Sequence, residues 1–197
     1  ILRELSNSNS LLLRKAPSDA HNHPLNSAKK HYNQVVVVDL SDAPIDDLSP
    51  LANLKRLERL YLSNAQASDL APPANLKSLH ELNLDNTQVY DLAPLAKLKR
   101  LQVLNLSETQ VRGLTPLANL DRLEWLNLNR TQVLVLAPLA NLTSLQLLRL
   151  FETPVRDLAP LRNLKSLELV DISRMPVSEE QITKLKLALP NCRIQNY

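Results

Sequence analysis

PLAKLKRLQVLNLSETQVRGLT, residues 94–115, is one of six units that follow one another in register. PLANLKRLERLYLSNAQASDLA starts at Pro50, PPANLKSLHELNLDNTQVYDLA at Pro72 and PLANLDRLEWLNLNRTQVLVLA at Pro116. PLANLTSLQLLRLFETPVRDLA follows from Pro138 and PLRNLKSLELVDISRMPVSEEQ from Pro160. A fixed period of 22 residues marks a stacked solenoid, in which each unit buries its apolar face only against its neighbours. The period decides the fold. It leaves function open, because such arrays serve mostly as recognition surfaces without chemistry of their own.

Leu54, Leu57, Leu60 and Leu62 recur one period later as Leu76, Leu79, Leu82 and Leu84, and so on down the array. The closing Leu-x-Leu alternates with period two, which predicts a short strand with one face buried. Each unit then lays its strand about 4.8 Å from the last, making a parallel sheet. The buried column reads Val38, Leu60, Leu82, Leu104, Leu126, Leu148 and Val170, and the same spacing continues it to Cys192. Thr87, Thr109, Thr131 and Thr153 follow the strands and are expected to bond the turn backbone while their methyls pack inward. Ile45, Val89, Val111, Val133 and Val155, with Ala67 as the exception, supply a second buried position. In steps such as Asp91-Leu92-Ala93-Pro94 the Asp can cap a short helical turn, and Pro suits its start. The Leu-Ala-Asn-Leu stretch is the return segment, a 3₁₀ or short α turn.

These residues resemble the bacterial leucine-rich-repeat class with 22-residue units found in internalins. The leucine-rich-repeat regulatory subunit of protein phosphatase 1 has a similar unit. The resemblance covers about residues 35–197. It implies an α/β solenoid: a leucine-rich-repeat horseshoe with a parallel concave β-sheet, short 3₁₀/α convex segments and a C-terminal helical cap. Two departures stand out. The immunoglobulin-like segment that follows the array in internalins is not in this sequence, and the Asn common at the turn is replaced by Thr.

The ends are expected to differ from the middle, because they shield the core. Residues 1–34 read as a linker or N-terminal cap, 35–177 as the array and 178–197 as the C-terminal cap. Ser178, Glu180, Ile182, Leu185 and Leu189 form the pattern of a capped amphipathic helix ended by Pro190, with a final edge strand at 191–194. The first strand is expected within residues 35–40, with a short helix at 27–34 over its open edge. Residues 1–26 are rich in Ser, Asn and His and carry LLLRK at 11–15.

The chain is 44% hydrophobic but only 3% aromatic, so leucine builds the core. No apolar run is long enough to span a bilayer, so no membrane insertion is expected. The net charge of +3 is spread along the chain, without the basic clustering of a nucleic-acid binder. Cys192 is the single cysteine, which excludes an intramolecular disulfide and favours a reducing compartment or a bacterial protein. The expected location is cytoplasmic, or a host cell to which a bacterial protein is delivered. With Gly113 the single glycine, a Gly-rich phosphate loop is excluded. His21, His23 and His31 lack cysteine partners for a metal site, and His80 has no nucleophile nearby. No catalytic residue, metal or cofactor is assigned, and the chain is read as no enzyme.

Residues flanking the inward leucines form columns on the concave face. The first is Val37, Arg59, Glu81, Val103, Trp125, Leu147, Leu169 and Asn191; the second is Asp39, Tyr61, Asn83, Asn105, Asn127, Arg149, Asp171 and Arg193. A third holds Ser41, Ser63, Asp85, Ser107, Asn129, Phe151, Ser173 and Gln195. Val103, Trp125, Leu147 and Leu169 place apolar side chains on consecutive strands, with Phe151 and Arg149 beside them. An apolar patch holding Trp and flanked by Arg has the composition of a binding hot spot. The expected function is protein–protein recognition of another protein or peptide on this face, with Tyr61 and Arg130 at its margins. The alternative is a sensing or substrate-recruiting domain of a larger bacterial effector, ubiquitin-ligase-like enzyme or nucleotide-dependent immune receptor. A homodimer contact or an attached domain over the stripe is a further reading. Asn83, Asn105 and Asn127 are expected to stack and bond amide to amide, the alternative being that they read polar backbone groups of a bound peptide. Lys55, Arg56, Lys77, Lys99, Arg100, Arg122 and Lys165 make a solvated convex face. Leu134 and Val135 break the polar pattern of their turn, either extending the apolar surface or packing locally.

Overall fold

Each strand is three residues long, and in all but the last the middle side chain is sealed into the core. The computed structural model describes residues 35–197. The expected cap or linker at 1–34, with its helix, LLLRK and His21, His23 and His31, lies outside the described residues. Among the described residues, β1 (Val37–Asp39), β2 (Arg59–Tyr61), β3 (Glu81–Asn83), β4 (Val103–Asn105), β5 (Trp125–Asn127), β6 (Leu147–Arg149), β7 (Leu169–Asp171) and β8 (Arg193–Gln195) form one open parallel sheet in chain order. Val38, Leu60, Leu82, Leu104, Leu126, Leu148 and Val170 are fully buried behind it.

Register advances by one period from β1 to β7, then slips. Val170 pairs with Ile194, so Ile194 and not Cys192 continues the buried column. The helix α1 (Glu179–Ala188) replaces the 3₁₀ return of the other units and lengthens the last connection by two residues. Arg193 and Gln195 therefore take the places expected for Asn191 and Arg193 in the first two surface columns. Cys192 sits half-buried against the core before β8, where desolvation pushes its thiol pKa up.

On the far side the chain returns through 3₁₀ segments at Ser49–Asn53, Pro73–Asn75, Ala93–Lys97, Thr115–Leu117, Ala137–Leu139 and Ala159–Asn163. Each has Pro at its first or second position, where a missing N–H costs nothing. The Asp acts one residue earlier than the helical cap position at Asp47, Asp91 and Asp157, and three residues earlier at Asp69. Asp47, Asp69, Asp91 and Asp157 each accept a hydrogen bond from the backbone N–H two residues on, at 2.8–2.9 Å. This is the geometry of an Asx turn. Gly113 and Val135 stand at the same position in the two intervening units and cannot make it.

The buried threonines find their partners within their own turns. Thr87, Thr109, Thr131 and Thr153 donate their hydroxyls to the carbonyls of Leu84, Leu106, Leu128 and Leu150 at 2.6–2.8 Å. Each such bond contributes about 1 kcal/mol net and keeps a buried carbonyl satisfied. Past each strand the chain turns through one left-handed residue: Asp42, Asn64, Asn86, Glu108, Arg130, Glu152 and Arg174 have φ of 50–60°. The turn aims that residue's N–H at a carbonyl of the next unit, as from Arg130 to Phe151 at 2.8 Å.

α1 closes the open end. Ser178 caps it, accepting from the Gln181 N–H at 3.3 Å, and Ile182, Leu185 and Leu189 are buried. The Gln181 amide reaches back to the last 3₁₀ unit. It accepts from the Leu158 N–H at 2.8 Å and donates to the Arg156 carbonyl at 2.6 Å.

Candidate functional site

Val103, Trp125, Leu147 and Leu169 stand opposite one another on β4 to β7 and are half-buried on the solvent face of the sheet. They form the floor of an open groove. Glu124, Gln146 and Glu168 line it where the strands begin, and Arg193 stands at its end. Glu124 accepts from the Gln102 side chain at 3.2 Å. Neither Glu124 nor Glu168 has a cation within 4.0 Å among the described residues.

The second column differs from expectation. Asn83, Asn105 and Asn127 do not bond amide to amide. Each side-chain oxygen accepts from the N–H two residues on, in Asp85, Ser107 and Asn129, at 3.0–3.1 Å. Asp39 and Asp171 do the same for Ser41 and Ser173 at 3.0 Å. The chain leaves the strand here for its left-handed turn, and its own strand's side chain takes up the N–H that the turn frees. Tyr61 and Arg149 are the two exceptions on β2 and β6. In Arg149's unit the Phe151 N–H is satisfied from the preceding unit, by the Asn129 side chain at 2.9 Å. Arg149, whose guanidinium has no acceptor to offer, takes no part in the turn. It is exposed, and among the described residues its guanidinium has no hydrogen-bond acceptor or carboxylate partner.

Phe151 lies just past the end of β6, between two cations. The Arg130 guanidinium is 5.5 Å from its ring centroid and that of Arg174 is 5.3 Å away. Both are anchored by carboxylates. Arg130 pairs with Glu108 at 2.7 Å and Glu152 at 2.9 Å, and Arg174 pairs with Glu152 at 2.7 Å. Glu108 and Glu152 strengthen the charged form of Arg130, raising its pKa further. Arg174 and Arg130 lower that of Glu152. In the earlier units the same turn position carries an amide ladder. Asn86 donates to Asn64 at 2.8 Å, and Asn64 donates to Asp42 at 2.9 Å. The stacking expected of the Asn83 column occurs here instead. The ion ladder escaped sequence reasoning, although Glu108, Arg130, Glu152 and Arg174 alternate in sign at the repeat spacing.

Tyr61 is not gathered into the stripe. It sits on β2, with β3 between it and Val103. It is half-buried, and burial followed by the Glu81 carboxylate raises its phenol pKa. Leu134 and Val135 are 62% and 60% exposed, past the left-handed turn and off the sheet face. Tyr90, 66% exposed, occupies Leu134's position two units earlier. Among the described residues no group of three or more His, Cys, Asp or Glu could hold a metal ion. No helix among them is long and apolar enough to cross a membrane.

The family described as leucine-rich repeats, two copies, matches residues 77–119. No curated protein matches the chain. Among solved structures, an internalin C2 from Listeria monocytogenes is similar at 29% identity and a TM-score of 0.78, covering 86% of this chain and 76% of its own. A second Listeria monocytogenes internalin is similar at 26% identity and a TM-score of 0.76, covering 87% of this chain and 58% of its own. A leucine-rich-repeat protein of Leptospira interrogans shares the fold at 24% identity and a TM-score of 0.75, covering 82% of this chain and 46% of its own. The chain has the leucine-rich-repeat fold, with units similar to those of the Listeria internalins. That fold is typically a protein-binding module.

Proposed function

We propose that the sheet face over β4 to β7 docks another protein. Trp125, Leu147, Phe151 and Arg149 are the central contacts, Val103 and Leu169 extend the stripe, and Tyr61 and Arg130 lie at its margins. Residues 35–177 are the array that presents the face, and 178–197 its cap. The observation that carries the reading is the in-register run of four apolar side chains beside Arg149, a cation that takes no part in the turn. Burying a Trp or Phe removes about 150–250 Å² each from water, enough for two anchors to dominate an interface. Phe151 is already ordered between Arg130 and Arg174, so docking onto it costs little side-chain entropy. The reading assigns the chain no reaction, cofactor or nucleic acid, and a cytoplasmic or host-delivered setting.

Affinity capture with the wild type and with the Trp125→Ala/Phe151→Ala double variant tests this. Partner recovery is expected to fall at least tenfold with the variant; equal recovery overturns the reading. The chain spans 58% and 46% of two of its structural neighbours, which favours a second reading as the recruiting or sensing part of a larger effector, ligase-like enzyme or immune receptor. The gene sequence on either side of this segment separates the two.

A further inference from the structure

The docking reading leaves the occupant unnamed, and the inference below rests on that reading. We propose that the groove takes an amphipathic α-helix of the partner, lying along the apolar stripe. It would carry Lys or Arg on one flank, a carboxylate on the other, and its C-terminus toward β8.

The spacing argues for a helix. The four floor residues sit on adjacent strands, so they are rungs at about 0, 4.8, 9.6 and 14.4 Å. An extended segment laid along them presents same-face side chains every 6.6 Å or so and is about 3.6 Å out of step by the third rung. A helix rising about 1.5 Å per residue presents positions 1, 4, 8 and 11 at about 0, 4.5, 10.5 and 15 Å, within about 1 Å of every rung. The face is also no sheet edge, so an added strand finds no backbone partner there.

The charges fix the flank and the direction. Glu124 and Glu168 stand two strands apart along one wall, about 9.6 Å, with no cation within 4.0 Å of either among the described residues. Two cations seven residues apart on a helix are about 10.5 Å apart. The carboxylates at the opposite margin beside β4 to β6, Glu108 and Glu152, are already paired, so they do not compete there for a cation of the partner. Arg193 stands at the β8 end, where a helix's C-terminal carbonyls present partial negative charge. In a right-handed coil, a helix running that way turns positions 5 and 12 toward the Glu wall and position 7 toward Arg149. On the same scale position 5 lies beside Glu124, position 12 beside Glu168 and position 7 beside Arg149.

Trp125 is the single tryptophan of the chain, so its emission reports the groove directly. The probe is a lactam-bridged helical peptide of about 15 residues, with leucine at peptide positions 1, 4, 8 and 11, lysine at 5 and 12, and glutamate at 7. The full chain is titrated with it, with a peptide carrying glutamate at 5 and 12 and lysine at 7, and with an unbridged version broken by proline at position 6. The first is expected to shift Trp125 emission saturably and to bind about tenfold more tightly than the charge-swapped peptide. Glu124→Gln/Glu168→Gln, at surface positions that leave the core intact, is expected to erase that preference. Equal binding of the two charge patterns, or of the proline-broken peptide, overturns the proposal. So does an emission insensitive to all three because a second copy or residues 1–34 fill the groove, which sedimentation and removal of residues 1–34 identify. Partner capture that depends on Trp125 together with no peptide response overturns the helix alone. Capture indifferent to Trp125→Ala/Phe151→Ala overturns the docking reading itself.

Discussion

The turns through β1 to β3 and those through β4 to β7 share a backbone and not a surface. In the first stretch the outward column is Val37, Arg59 and Glu81, the left-handed turns are laced by Asp42, Asn64 and Asn86, and Asp47, Asp69 and Asp91 each bond the N–H two residues on, ahead of the 3₁₀ segments. In the second the column is apolar, the turns are laced by Glu108, Arg130, Glu152 and Arg174, and two caps are replaced by Gly113 and Val135. Asn and Asp tolerate a left-handed backbone better than Glu or Arg do. The second stretch therefore departs from local preference at three kinds of position at once, beside the same apolar stripe. Departures from a repeat that cluster in this way mark where the scaffold has given way to a surface requirement.

If the two stretches differ only at their surfaces, their cores must be interchangeable. Leu60 on β2 and Leu126 on β5 are both fully buried in equivalent positions. Leu60→Ala and Leu126→Ala are each expected to cost about 2–5 kcal/mol and to match within about 1 kcal/mol, read as a lower urea midpoint at constant slope. A large mismatch, or a second transition in one variant, would break the comparison by showing that the halves unfold separately.

Restoring a cap should move stability the other way and by less. A Cβ at Gly113 meets nothing within 4 Å, and the residue is not in a left-handed conformation. Gly113→Asp places a carboxylate where Asp91 and Asp157 bond the N–H two residues on. It also removes glycine's freedom from the unfolded chain. The expected gain is about 1 kcal/mol, or roughly 2–4 °C in Tm. An unchanged melt would show that the Asp bonds of the other units are incidental, and the missing caps would cease to distinguish the two stretches.

Most of the fold was legible because one period repeats through it. The columns of β1 to β7 fall where the leucines put them, and the 3₁₀ returns fall at the prolines. The last strand did not, because a spacing rule cannot count the two residues that α1 adds before Ile194. The stripe was legible as a column of residue types. The duties of the columns beside it were not. Asn127 as the cap of its own strand end, and Arg130 as one link of an ion ladder, both depend on a left-handed turn. That turn is made by Asn, Asp, Glu and Arg, with no glycine to announce it.

The smallest effect distinguishes the two ladders. Glu152 bonds both Arg130 and Arg174, and those cations hold its carboxyl below the ordinary glutamate range. A carboxyl whose pKa is lower folded than unfolded stabilises the fold above its unfolded pKa, and that contribution disappears as pH falls through the folded value. The wild type is therefore expected to be slightly more stable than Glu152→Gln at neutral pH, with the two melts converging once the solution is acidic enough to protonate Glu152. Salt near 1 M, where the Debye length is about 3 Å, should close the same gap at neutral pH. Asn86→Ala cuts the amide ladder instead at its link to Asn64, and its deficit should persist across pH and salt, because neither partner of that bond ionises. Equal pH and salt responses from the two variants would mean that the ion pairs add nothing beyond their hydrogen bonds. The switch from amides to ions would then reflect the ring of Phe151 that the two arginines flank, and not the stability of the turns.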